Sequence, residues 1–329
     1  MPGPTNNQRH INKPLENLTI AAMQDQESFV GLAAAPIVIV DEQSGSYYEY
    51  STSDWNRREM KVRGSSEKSA RAGWSNSNSS YQTIRYSLEH PEDWNDQANA
   101  DAAFDVDSDA AEYLANQANI QLDYLWTAAA GATGVWTTDW DGVTADPGAS
   151  QFIQFDQAAS DPQKTVNQVK EAVFALVGKM PNTIIAGADV NNELITNPIV
   201  RAALQYTQPT FTGDITPALL AKFFGVSTYR VARSFYETAE EGQTSVMANV
   251  FGTHDMWVGY VEPNPGKKKI SACYTFAWKG VDGTASENGL ITWKYPEENI
   301  TSDVYGIEMF MVVKIIAAGA GAFLEDATV

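Results

Sequence analysis

The chain has 329 residues, with 22 Lys+Arg against 41 Asp+Glu and a formal net charge of −19. So large an acid excess repels phosphate and argues against a protein whose main task is gripping nucleic acid, while 43% hydrophobic and 11% aromatic residues exclude global disorder. One cysteine, Cys273, and three scattered histidines, His10, His90 and His254, exclude an internal disulfide and give no sign of a cysteine-rich zinc site or a histidine metal cluster.

Residues 1–44 read as an extended arm, with Pro2, Pro4 and Pro14, a short amphipathic piece at 18–22, and a strand after Pro36. Residues 45–88 differ sharply. Tyr47, Tyr48 and Tyr50 are interleaved with polar residues, as are Tyr81 and Tyr86, and a run rich in Ser, Asn, Gly and Arg lies between them. That pattern predicts a long β-hairpin, with roughly 20 residues per arm and a reach on the order of 60 Å. A single domain cannot bury such a ribbon, and an isolated one is marginal in water, so it calls for a partner surface. Between 54 and 85 the bases Arg57, Arg58, Lys61, Arg63, Lys68, Arg71 and Arg85 outnumber the acids Asp54, Glu59 and Glu67. The next stretch, 86–161, has no Lys or Arg and is crowded with Asp and Glu. A basic projection beside an acidic body predicts head-to-tail contact between identical chains.

The best helix follows, over about 108–130. Asp105, Asp107 and Asp109 crowd its start, where carboxylates cap free N–H groups and oppose the dipole. Leu114, Ala118, Leu122 and Trp126 recur every four residues beside Leu125, and Gly131 stops the helix. Leu114, Leu122, Leu125 and Trp126 are its expected packing residues. From Asp161 the pattern becomes α/β. A capped helix at 161–178 precedes a strand at 182–187, and helical turns follow through Leu194 and Leu204. A helix at 216–225 then leads into a strand at 226–231. Further strands are expected at 245–251, 256–261, 270–278 and 290–295, and one long strand over 303–316 returns to an earlier sheet. The stretch 309–324, broken by Lys314, falls short of the ~20 residues of a membrane span and reads as a strand pair or a strand and turn. The N-terminal residues lack the apolar core of a secretory signal, so the expectation is a soluble protein made in a cytoplasm.

Catalytic motifs are thin. Asp105-x-Asp107-x-Asp109 opens like a calcium loop, but the positions that need Gly and Glu hold Ala110 and Asn116. Asp139 with Asp141, and Glu240 with Glu241, are acid pairs of the glycosidase kind, in a chain rich enough in acids to produce them by chance. His254-Asp255 lacks a nucleophile elbow, and neither a Walker A loop nor a dinucleotide fingerprint occurs. Cys273 lies within an apolar strand and reads as core.

The order of parts is arm, basic hairpin, long helix, α/β body and returning strand. Together with Phe29–Val40, Tyr50–Arg57, Tyr81–Tyr86, Asn99–Asp101, Ser160–Pro162, Pro181–Thr183 and Leu219–Val226, it resembles the major capsid proteins of tailed double-stranded-DNA bacteriophages. The resemblance covers nearly the whole chain and implies the α+β Hong Kong 97 fold. Its parts would be an N-terminal arm at 1–44, an extended loop at 45–88, a peripheral domain at 89–160 holding the spine helix, an axial domain at 161–300, and a C-terminal strand at 301–329 rejoining the peripheral sheet. The implied role is structural and non-enzymatic: copies form hexamers and pentamers of an icosahedral head around DNA bound without sequence specificity. The extended-loop residues Arg57, Arg58, Lys61, Arg63, Lys68 and Arg71 would contact neighbouring subunits.

Some members of that family carry a long N-terminal scaffolding segment. The arm here is too short for one, so a separate scaffolding protein is expected, along with a portal and decoration proteins. The expected location is the virion, after synthesis in the host bacterial cytoplasm. Some members cross-link the loop, Lys to Asn; Lys61 and Lys68 lie in that region but match no motif. Two other readings compete: an acidic carbohydrate-active enzyme or glycan-binding module, and another self-assembling virion part such as a tail tube.

Overall fold

The computed structural model describes residues 24–50, 56–99, 106–207, 215–240, 242–266, 269–280 and 289–329. The amphipathic piece expected at 18–22 and the acids Asp54, Asp101 and Asp105 lie outside the described residues. In chain order, a short helix α1 (Gly31–Ala34) precedes β1 (Ile37–Val40), β2 (Ser44–Tyr50), β3 (Asn76–Gln82) and β4 (Ile84–Asp93). Helices α2 (Trp94–Asn99) and α3 (Val106–Ala130) follow, then β5 (Thr138–Val143), β6 (Gln151–Ile153) and α4 (Pro162–Val177). Next come β7 (Thr183–Gly187), α5 (Ala188–Thr196), α6 (Pro198–Thr207), α7 (Pro217–Phe224) and β8 (Thr228–Ala232). The chain continues through β9 (Phe235–Glu237), β10 (Met247–Asn249), β11 (Met256–Gly259) and β12 (Cys273–Trp278). It finishes with β13 (Leu290–Glu297), β14 (Ser302–Ile315) and β15 (Gly321–Glu325).

Two sheets organise these elements. In the first, β14 is the backbone strand: β4 runs antiparallel along one edge, from Ser302↔Asp93 to Met311↔Ile84. The other edge is shared end to end by β13, up to Met309↔Leu290, and by β12, from Met311↔Ala277. Strand β1 lies parallel outside β12. The second sheet has the order β6-β5-β15-β11-β7-β8. Its central strands β7 and β11 are buried along their whole length, as apolar strands covered on both faces must be. Helix α4 covers it with Val166, Val169 and Val173; Asp161 caps that helix by accepting from the Lys164 N–H at 3.0 Å, and Gly178 ends it at φ +73°.

Strand partners depart from the sequence expectation. The stretch 161–300 is divided between the sheets, because β12 and β13 pair with β14 in the first. Strands β5 and β6, which the sequence reading did not identify and which lie in the 89–160 stretch expected to be the peripheral domain, join β15 in the second. The tail is likewise two strands: a turn at Ala318–Ala320 carries the chain from β14 into β15, which inserts between β5 and β11. Periodicity identifies a strand but not the strand beside it.

Helix α3 spans both sheets. Ala110, Leu114 and Ala118 pack on Tyr305 and Ile307, and Leu122 packs near Met309 and Met311. Trp126 and Ala130 enter the other core, where the Trp126 ring stacks on Phe251 at 5.4 Å and meets Trp257 edge-on at 5.8 Å. Leu125 is half-buried beside them. Between these contacts sits Asp123, only 1% exposed. Its carboxylate accepts from the Val30 N–H (3.1 Å), the Gly31 N–H (2.6 Å) and the Ser234 hydroxyl (2.6 Å). The approach needs a glycine: a Cβ on Gly31 would lie 2.8 Å from Asp123 Oδ1 and 3.1 Å from the Leu122 carbonyl oxygen.

Burial raises the Asp123 carboxyl above the usual carboxylate range, while its three donors pull the other way. Between the ordinary and the raised value the native state holds a proton that the unfolded chain has released, so there stability falls as pH rises. Asp123→Ala strands two backbone donors and a hydroxyl in a dry site and is expected to cost about 2–4 kcal/mol. Asp123→Asn keeps an acceptor, is expected to cost less, and abolishes that pH slope. Denaturant melts of both variants across pH 4–7 check this.

Candidate assembly surface

The hairpin expected at 45–88 exists, but its regular part is short. Strands β2 and β3 pair from Ser44↔Gln82 to Tyr50↔Asn76. At Thr83 the ribbon ends: the Thr83 N–H and hydroxyl both reach the Gln43 carbonyl oxygen, at 2.9 and 3.0 Å, and the chain crosses into β4. Beyond the ladder, residues 56–75 form no strand. Rich in Ser, Gly and Arg, they include only Val62 and Trp74 of the β-branched and aromatic residues that hold a ladder together.

Two tyrosines fix the ribbon to the body. The Tyr81 ring stacks on Phe276 of β12 at 4.7 Å, and Tyr47 meets the same ring at 5.5 Å. Val38, Val312 and Ile316 fill the space around them. Arg85, counted with the loop bases in the sequence, belongs instead to β4, where its guanidinium donates to the buried Glu308 carboxylate at 2.7 Å. These contacts give the loop a firm root.

The loop itself is held clear of the subunit. Arg57, Arg58, Lys61, Arg63, Lys68 and Arg71 are all exposed, on one continuous stretch. Arg57 lies 3.6 Å from Glu59, and Arg63 Nε donates to the Glu67 carbonyl oxygen at 2.6 Å within a turn centred on Ser66 (φ +78°). Three apolar side chains that sequence reasoning passed over project beside the bases: Met60 is 94% exposed, Val62 fully so, and Trp74 64%. A compact soluble surface keeps such groups scattered; here they share one basic projection.

No protein-family model matches the chain. A stretch of 93 residues is 28% identical to the major capsid protein of Burkholderia phage BcepMu, covering 28% of this chain and 29% of that protein. The match therefore spans less than a third of the relative's length. Among solved structures, a phage-related protein from Bordetella bronchiseptica superposes with a TM-score of 0.68 at 19% identity, over 92% of this chain and 94% of that one. The capsid structure of cyanophage P-SCSP1u gives a TM-score of 0.51 at 11% identity, over 88% and 85%. The chain has the Hong Kong 97-type capsid fold.

In this capsid fold the enzyme-like motifs have structural surroundings. Asp139 and Asp141 lie on β5: Asp139 accepts from the Gly134 N–H at 2.5 Å, and Asp141 from the Gln151 amide at 3.1 Å. Glu325 pairs opposite Asp141, and its carboxyl is raised by burial and by the nearby acids Asp326, Asp255, Asp141 and Asp139. His254 Nδ1 sits 3.1 Å from the Thr328 hydroxyl, in a strap that also joins the Ala327 N–H to the His254 carbonyl oxygen. Cys273 is fully buried, and its thiol is pushed up by desolvation, the opposite of a reactive thiolate. Among the described residues, no group of three His, Cys, Asp or Glu could hold a metal ion, and no helix is long and apolar enough to cross a membrane. Capsid relatives favour neither the glycosidase nor the tail-tube alternative.

Removing the root of the loop should loosen it without unfolding the subunit. The double variant Tyr47→Ala, Tyr81→Ala is expected to speed limited proteolysis within 56–75 at least several-fold, while thermal melting shows one cooperative transition.

Proposed function

We propose that this chain is the major capsid protein of a tailed double-stranded-DNA bacteriophage, a shell subunit that associates with its own copies into the hexamers and pentamers of an icosahedral head. What carries the reading is the loop 56–75: six exposed bases and three exposed apolar side chains, rooted on a capsid fold, that one subunit leaves uncovered. The 45–88 segment would be the extended loop, α3 the spine helix of the peripheral domain, and the second sheet the axial domain gathering around five- and six-fold axes. A separate scaffolding protein would guide assembly, a portal would admit DNA, and the wall, at a net charge of −19, need not bind that DNA. Its location would be the virion head.

Such shells draw strength from many modest contacts, since an exposed ion pair contributes only ~0–1 kcal/mol. The loop charges therefore set register and direction more than cohesion. Size-exclusion chromatography and electron microscopy of the purified chain with its scaffold test the reading, and a stable monomer under every condition overturns it. Replacing Arg57, Arg58 and Lys61 by Glu is expected to cut particle yield at least several-fold while leaving the melting curve in place. Because the screening length shrinks from ~10 Å at 0.1 M salt to ~3 Å at 1 M, wild-type assembly should slow as salt rises, and light scattering follows it directly.

A further inference from the structure

Beyond β8, strands β9 and β10 form a ribbon of their own, two strands wide among the described residues. One face is settled: Tyr236 meets Tyr124 of α3 edge-on, with ring centres 6.0 Å apart. The opposite face carries Phe235, 41% exposed, and Met247, 59% exposed, on diagonal positions. The tip is held from within, since the Glu237 carboxylate accepts from the Ala239 N–H at 3.0 Å, the Val246 N–H at 2.6 Å and the Ser245 hydroxyl. A two-stranded ribbon with exposed apolar groups and an open edge is marginal by itself and invites another strand.

The arm already reaches that edge. Ser234 and Thr238 turn their backbones toward β10: the Val250 N–H donates to the Ser234 carbonyl oxygen and the Thr238 N–H to that of Val246, both at 2.9 Å. By the two-residue period of an antiparallel ladder, the backbone groups of Phe235 and Glu237 point off the open side. At Phe235 one side chain takes both. Gln24 Nε2 donates to its carbonyl oxygen at 2.6 Å, and Gln24 Oε1 accepts from its N–H at 3.1 Å. The side-chain amide copies the paired bonds of an adjoining strand. Four residues on, the Ser28 carbonyl oxygen accepts from the Arg233 N–H at 3.4 Å. Arm numbers fall as β9 numbers rise, so the two run antiparallel, and an arm continued in that direction meets Glu237 next.

Residues 1–23 lie outside the described residues. The sequence Leu18-Thr19-Ile20-Ala21-Ala22-Met23 is uncharged, free of proline, and holds the β-branched Thr19 and Ile20. In an extended chain Leu18, Ile20 and Ala22 share one face, the face that continues Phe235 and Met247 when Ala22 lies beside Glu237. We infer that residues 18–23 add a third, antiparallel strand to the open edge of β9 in their own copy. Connectivity selects the same copy, because Gln24 is fixed at that edge and Val30 and Gly31 at Asp123, which holds the preceding residues beside Glu237. The added strand covers an edge otherwise open to pairing between copies, and it directs residues 1–17 past the hairpin tip. The inference does not depend on the shell reading.

Cross-linking of the unassembled full-length chain tests it. Ala21→Cys and Glu240→Cys, treated together with a short bismaleimide, are expected to link within one copy; Cys273, fully buried, does not compete. Mass spectrometry on a mixture of isotope-labelled and unlabelled chains separates links within a copy from links between copies. Gln24→Ala, which removes the anchor, is expected to lower the internal yield at least several-fold. Circular dichroism confirms that each variant is folded. Hydrogen exchange of the unsubstituted chain reads the same contact without altering the tip: amides at 19–22 are expected to exchange about tenfold more slowly than those at 5–10. Should the tip variant fold poorly, this measurement decides alone. Overturning results are a folded variant that forms no internal link, links chiefly between copies, an internal yield unchanged by Gln24→Ala, or amides at 19–22 that exchange as fast as those at 5–10.

Discussion

The Asp123 carboxylate sits where three stretches of chain meet that are far apart in sequence: the exit of the arm at Val30 and Gly31, the long helix α3, and Ser234 beyond β8. A buried charge with three donors is costly to dismantle and tolerates little displacement, because each donor would be left without water or partner. The helix bearing it packs on the first sheet with its N-terminal half and enters the second core with Trp126. The helix therefore bridges the two sheets, which also share a core through Cys273, Val313, Trp257 and Phe323, and its Asp123 ties the arm to that junction.

On that rigid frame, the uncovered parts acquire meaning. A ribbon rooted by Tyr47 and Tyr81 and carrying a long irregular loop would be a poor design for a solitary molecule, since two-stranded ribbons gain little from their own burial. For a tile it is economical. In the proposed shell, a firm root would hold the loop in place while its charge selects which neighbour it meets. The same separation explains why the six bases lie on the loop while the body is strongly acidic.

Much of this was legible in the sequence. Acids before a four-residue apolar recurrence delimit α3, observed at Val106–Ala130 against an expected 108–130, because capping and amphipathicity are local properties. Sheet membership was not legible. Cys273–Ala277 reads as a buried strand wherever it is placed, and nothing local reveals that β14 lies beside it. The crossing at Thr83 depends on a hydrogen bond to Gln43, and the expected 20-residue arms shrink to seven paired positions. Asp123 stood unremarked in a long run of acids; only its neighbour Leu122, on the apolar face, hinted at burial. Met60, Val62 and Trp74 were overshadowed by the bases around them, although their presence in so polar a run was the available clue.

Strands β14 and β15 carry a consequence for biogenesis. Each is a central member of its sheet, yet β14 pairs with β4 across more than two hundred residues of chain, as at Ser302↔Asp93, and β15 reaches back to β5, as at Ala322↔Thr138. Contacts so remote close slowly. On the ribosome, neither layer can be completed until these late-synthesised strands emerge, so a nascent polypeptide lacks the finished edges on which sister copies would lock. In the proposed shell, interlocking would thereby be deferred until translation has delivered both strands.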